Sequence, residues 1–250
     1  MNKMTLSCVL LLFAAFAISC QEDLALPYYE PGAVILQYTG FVVKYNETYE
    51  QADWVAYLLT SSEASSETLK RPNNFRPDHA VETETAAKDD YKGSGYDRGH
   101  LAPAGDMNWS DEALSDSFFF SNMSPQTPGL NRGKWRSLEE LVRTWATANK
   151  EVYVVTGPVL TDGPFKTIGE NQVAVPKRYY KVVLDYKKPE IKGIGFILPN
   201  ERISLPLSDF AVSIDQVEQL TGIDFFHLLP DDIEESLESS VMLTSWPDLN

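Results

Sequence analysis

Tyr96-Asp97-Arg98-Gly99-His100, read together with the run FFFSNMSPQTPGLNRGKWRSLEELV from Phe118 to Val142, decides how this chain folds. Gly93, Gly95 and Gly99 punctuate Tyr91 to Leu101, which predicts turns around an irregular strand. Leu138, Leu141, Val142 and Trp145 then recur at helical spacing, so Leu130 to Lys150 is predicted to be a helix. Asn131 falls at its start, and Glu139 lies about two turns later, near the same face. The pattern is a hairpin followed by a helix, with a histidine on the first part and an amide and a carboxylate on the second.

Those side chains are the parts needed to hydrolyse a phosphodiester with one bound divalent metal. Histidine is the side chain whose unperturbed pKa lies near working pH, which suits His100 to general-base work. A metal ion neutralises crowded phosphate oxygens and the departing alkoxide. Magnesium prefers oxygen and keeps several waters, so one or two protein oxygens can hold it, and Asn131 offers a neutral amide oxygen. Arginine forks onto phosphate oxygens. Arg98 stands two residues before His100, and Arg71 lies upstream in KRPNNFRPD.

The same residues resemble the DNA/RNA non-specific endonucleases, the ββα-metal family that includes mitochondrial endonuclease G. The D-R-G-H signature is Asp97 to His100. A second block is carried by Asn122, Pro125, Gln126, Leu130-Asn131, Trp135 and Leu138-Glu139, and a further R-x-x-x-F-x-x-D block by Arg71, Phe75 and Asp78. The segment VSIDQVEQLTGIDFFHLLPDD is similar to the family's closing part, so the resemblance covers Val34 to Leu237. It implies an α+β fold, a central mainly antiparallel sheet flanked by helices. It implies His100 as general base, Asn131 as direct ligand of Mg2+ or Mn2+, and Glu139 as holder of a metal-bound water. Arg98 and Arg71 would contact phosphate, Asn122 would support the site, and Asp97 would fix the loop. DNA and RNA would be the substrates, 5′-phosphorylated fragments the products, and a homodimer the family's frequent assembly.

Each residue has a plainer role beside the catalytic one. Asn131 is also a good helix N-cap. Glu139 can pair with Arg143 at i, i+4. Arg76 competes with Arg71 for phosphate. His79 and His227 are read as non-catalytic, and Trp109 and Trp135 as core. Two other functions use the same parts: a phosphodiesterase for nucleotides or other small diesters, and a non-catalytic surface lipoprotein. The second has no use for a base beside a metal ligand.

The amino terminus addresses the chain to the cell envelope. Lys3 precedes an apolar run from Val9 to Ile18, too short to span a bilayer comfortably. Ala17-Ile18-Ser19-Cys20 resembles a bacterial lipobox with Cys20 as the lipidated residue, although its first position is usually leucine. A signal peptide is therefore expected over 1–19, with a lipid anchor in a bacterial membrane, periplasmic or surface-facing; without lipidation the protein is secreted. Gln21-Glu22-Asp23 resembles a surface-export signal. Cys8 and Cys20 are the two cysteines, so the mature domain has no disulfide, no zinc cluster and no H-E-x-x-H.

A net charge of −15 is unexpected for a nucleic-acid enzyme. Its distribution resolves the conflict. Residues 201–250 carry eleven Asp or Glu against Arg202 alone, ten of the fifteen net negative charges. The predicted site region holds Lys70, Arg71, Arg76, Lys88, Lys92, Arg98, Arg132, Lys134 and Arg136. At physiological salt, charges beyond about 8 Å are screened, so a basic groove functions inside an acidic protein.

The remaining organisation follows from periodicity. Residues 20–33 are expected to be a tether, 34–240 one endonuclease domain, and 241–250 an acidic tail. Val34 to Tyr45, Trp54 to Thr60 and Val152 to Leu160 read as strands, with Ser61 to Thr68 a loop. Met107 to Phe120 has helical spacing around Ala113 and Leu114. Tyr179 to Tyr186 and Ile191 to Leu198 form a predicted hairpin. Ile214 to Thr221 is a short helix closed by Gly222.

Overall fold

A computed structural model describes residues 24–66 and 69–249. The signal segment and Cys20 lie outside the described residues. Within them, no helix is long and apolar enough to cross a membrane.

Seven strands make one antiparallel sheet: β1 (Val34–Gln37), β2 (Val42–Asn46), β3 (Gln51–Thr60), then β6 (Glu151–Pro158), β9 (Arg178–Asp185), β10 (Lys192–Pro199) and β11 (Ala211–Val212), in that spatial order. Two hairpins stand apart from it: β4 (Asp97–His100) with β5 (Met123–Gln126), and β7 (Lys166–Ile168) with β8 (Val173–Val175). The helices are α1 (Ser61–Ala64), α2 (Lys88–Tyr91), α3 (Asp111–Asp116), α4 (Arg136–Asn149), α5 (Ile214–Thr221) and α6 (Asp231–Glu238).

The central strands are buried on both faces because helices cover both. On one face α4 inserts Leu138, Leu141, Val142, Trp145 and Ala146 against Val55, Tyr57, Val154, Tyr179 and Val183. Each such buried side chain contributes roughly 1.5–3 kcal/mol. On the other face α5 and α6 contribute Ile214, Val217 and Leu237, packed with Trp54, Val155, Tyr180 and Val182. The pleat sends alternate residues of one strand into the two layers. The fold is therefore α+β, with the sheet between two helical layers.

Several expectations hold. The predicted hairpin is β9 with β10, in register from Arg178↔Pro199 to Asp185↔Lys192. α5 spans the predicted residues: Ser213 and Gln216 form a reciprocal cap, and Gly222 at φ 70° ends the helix in the left-handed region.

Others are corrected. Val34 to Tyr45 is two strands, because the chain reverses between Tyr38 and Phe41, where Tyr38 N–H donates to Phe41 O at 2.9 Å. Ser61 to Thr68 is not wholly loop: Thr60 and Glu63 build a capping box that starts α1. Of the expected tether, the described residues 24–33 pack on the domain, since Ala25 is buried against the α5–α6 layer and Tyr28 N–H donates to Asp224 O at 2.9 Å. Residues 241–250 are no free tail. Trp246 and Leu249 are buried, the Trp246 ring packs tilted against Trp145 with centroids 4.6 Å apart, and Trp145 Nε1 donates to Pro247 O at 3.0 Å. A tryptophan and leucines make that segment worth burying, despite Asp248.

Candidate active site

β4, β5 and the helix after them form one ββα unit. Asp97, Arg98, Gly99 and His100 pair with Gln126, Pro125, Ser124 and Met123. Gly99 is required there: a Cβ on it would lie 2.3 Å from the Gln126 side chain. After β5 the backbone makes a turn at Pro128–Leu130 and then a π-helical segment, Asn131–Trp135, before α4. Gly133, at φ −110° and ψ −117°, breaks the regular helix there. Such segments lodge a side chain where a regular helix would not, and this one carries Asn131. The predicted helix from Leu130 thus begins irregularly, at Asn131.

His100, Arg71, Arg98, Asn131 and Glu139 line one open cleft of about 490 Å³, with Arg132, Arg136 and Arg143 beside them. His79, His227 and Arg76 are not among its lining residues. Arg76 instead donates to Ser115 O at 2.8 Å and covers the Phe119 ring at 3.7 Å. Trp135 is fully buried core, as expected.

His100 is 7 % exposed. Its imidazole meets the rings of Phe75 and Phe118 edge-on, at 5.6 and 4.9 Å. The same two rings carry the flanking cations: Arg98 lies 4.0 Å over Phe75 and Arg71 5.5 Å over Phe118. Burial, then the charges of Arg71 and Arg98, push the imidazole down to about 3. It is held as the free base, and Nε2 has no protein partner.

Asn131 donates from Nδ2 to Asp97 Oδ2 at 2.9 Å. Arg132 forks onto the same carboxylate at 2.8 and 2.6 Å. Burial raises the Asp97 carboxyl, but the bonds from Arg132 and Asn131 outweigh it and hold the group below its ordinary value. An ionised carboxylate only accepts, so Asp97 fixes which way the Asn131 amide faces. The amide oxygen is left free as a ligand. Asn122 is fully buried and clamps the loop after β4: it accepts from Ala102 N–H at 2.9 Å and donates to Ala102 O and Ser117 O at 2.9 and 2.8 Å.

Arg143, the i, i+4 neighbour of Glu139, makes its hydrogen bond elsewhere: it donates to the buried Asp106 at 2.7 Å, and Asp106 also accepts from Tyr57 at 2.8 Å, while the Arg143 charge still acts on Glu139. One nearby residue was not singled out from the sequence. Lys181, on β9, is fully buried, with its ammonium 4.9 Å over Trp135 and no hydrogen-bond partner among the described residues. Burial pushes Lys181 down and Glu139 up, and each charge favours the other. The readable signal was a lysine at an inward position between Tyr179 and Val183.

A free amide oxygen, a carboxylate and an uncharged imidazole in one arginine-lined cleft is a donor set suited to a hard divalent cation and a phosphate. The family model for DNA/RNA non-specific endonucleases matches residues 25–232. The chain belongs to that family. The mitochondrial nuclease EXOG of Danio rerio is 38 % identical over 80 % of this chain and 63 % of its own length. Human mitochondrial endonuclease G is 35 % identical over 74 % of this chain and 67 % of its own, and a nuclease of Nostoc 34 % over 84 % and 80 %. The chain thus spans somewhat under two thirds of the zebrafish relative. It also superposes on a chain of the solved EndoG/EndoGI complex with a TM-score of 0.77 and 29 % identity, over 85 % of this chain and 92 % of that one. The ββα-metal nuclease fold expected from the D-R-G-H resemblance is the fold of this protein.

Proposed function

We propose that this protein is a metal-dependent, sequence-non-specific endonuclease that hydrolyses DNA and RNA to 5′-phosphorylated products. The observation that carries the reading is His100, a buried free base, in one cleft with Asn131 and five arginines. Asn131 would hold Mg2+ or Mn2+ through its amide oxygen, with Glu139 holding a bound water, and the ion would neutralise the phosphate and stabilise the leaving oxygen. His100 takes a proton from the attacking water. The new bond joins that water's oxygen to phosphorus; the P–O3′ bond breaks, and its oxygen leaves with a proton from solvent. Arg71 and Arg98 bind the phosphate oxygens, and Phe75 with Phe118 fixes both guanidiniums around the imidazole. The acidic helices lie across the sheet from the cleft, and a basic groove with screened surroundings is the expected route for a polyanion. Lipidation at Cys20 would tether the enzyme to a bacterial membrane; Cys20→Ser should then move it from the membrane to the soluble fraction.

The test is cleavage of plasmid DNA and of a long RNA by the full chain, with Mg2+, with chelator, and with His100→Ala. Metal-dependent cutting of both, lost in the variant, supports the assignment. Folded protein that cuts neither polymer with any divalent metal overturns it, and cutting of small diesters alone would identify a phosphodiesterase.

A further inference from the structure

We propose that Asp215, Glu218 and Glu238 form a second cation site, of the calcium class, on the opposite face of the sheet from the catalytic cleft. Asp215 and Glu218 stand one turn apart on α5, and Glu238 is the last residue of α6, which packs beside it. One carboxylate oxygen from each lies within 4.8 Å of the others. Two oxygens on one Ca2+, at 2.3–2.6 Å each, are at most about 4.6–5.2 Å apart, so the three carboxylates can share one such ion. The donors are all oxygen, which selects a hard ion over zinc or copper.

Proximity of carboxylates alone would not make a site. Glu238 supplies the second observation. It is 4 % exposed, and its Oε1 is covered by protein yet has no hydrogen-bond partner. A buried carboxylate without a partner is costly, and a cation is the partner that removes the cost. The charges acting most strongly on it are further carboxylates, Glu218, Glu234, Asp215 and Asp224; burial first, and then these, push it up to about 9. Glu218 is held in place on one side, where its Oε1 accepts from Phe225 N–H at 2.7 Å. Asp215 is exposed and provides the entrance, where water completes the coordination.

The experiment uses the full chain in detergent carrying Asn131→Ala, which removes the catalytic-side ligand. Ca2+ is titrated calorimetrically, and Tm is compared in saturating Ca2+ and in chelator. The expected result is one Ca2+ per chain and a Tm rise of at least ~5 °C. Both should be lost with Glu238→Gln and with the surface change Asp215→Asn, which does not endanger folding. In the otherwise native chain, Glu238→Gln should leave Mg2+-dependent cleavage unchanged. Absence of Ca2+ binding, or binding that survives both substitutions, overturns the site. If Glu238→Gln raises Tm in chelator and no Ca2+ binds, the carboxyls share a proton instead, which also overturns it.

Discussion

Glu139 and Glu238 sit on helices packed against opposite faces of one sheet, and both carboxyls are raised by burial. Their surroundings then diverge. Around Glu139 the protein supplies cations of its own: Lys181 from β9, and Arg143 held by Asp106. Around Glu238 it supplies more carboxylates. The cleft face therefore balances its buried carboxyl with cations of the chain itself, and the far face does not. A net charge of −15 is thus not spread evenly over the molecule.

The comparison breaks first at His100. Replacing it by Ala should reduce the cleavage rate by ~10²–10⁴-fold with the fold intact, the usual cost of a lost general base; an unchanged rate in a single-turnover assay would remove His100 from the chemistry. Lys181→Met tests whether the catalytic face depends on its internal cation. Without that charge Glu139 is harder to ionise, so activity near pH 7 should fall by about tenfold, one unit's worth of interaction, and recover as pH rises. A loss that is equal at every pH would make Lys181 structural only.

On the other face, Glu238→Gln in chelator should change stability in a pH-dependent way. A carboxyl raised in the folded state binds more protons than the unfolded chain between the two pKa values. The native protein should therefore lose stability as pH rises from about 5 towards 9, and the Gln variant should lose less, by about 2–4 °C in Tm at the alkaline end. Identical melting profiles would refute the difference between the faces. The smallest effect is on His100 itself. Its lowered pKa predicts an imidazole that stays uncharged in an NMR titration of the metal-free protein from pH 8 to pH 5. Protonation near its ordinary value would place it in a wetter setting than its burial indicates. Because the unfolded chain does take up that proton, His100 also withdraws stability as pH falls below about 6.5.

Much of the catalytic face was legible in the sequence because its parts are local. His100 and Arg98 share a four-residue strand, and Asn131 and Glu139 share one helical run. Periodicity and glycine placement are short-range signals, and they located these elements. The R-x-x-x-F-x-x-D resemblance prefers Arg71 to Arg76, and what the sequence did not show is the reason: Arg71 lines the cleft over Phe118, whereas Arg76 lies over Phe119. Lys181 was missed because its meaning comes from Trp135 and Glu139 across the layer, which no local pattern connects to it, and the bond of Arg143 to Asp106 is likewise a contact between distant parts of the chain. Trp246 shows the converse: the last segment is core because Trp145 offers its ring a partner.

β9 carries Lys181 towards the nuclease cleft while Tyr180 and Val182, its immediate neighbours, pack into the far layer. The strand is paired on both sides, to β6 and to β10, so its frame is fixed twice. A one-residue insertion or deletion ahead of Lys181 would turn the ammonium into the apolar back layer and a bulky apolar group towards Glu139. A change of length is therefore expected to be tolerated only in the loops at either end of β9. The lysine can be replaced, but it cannot be moved.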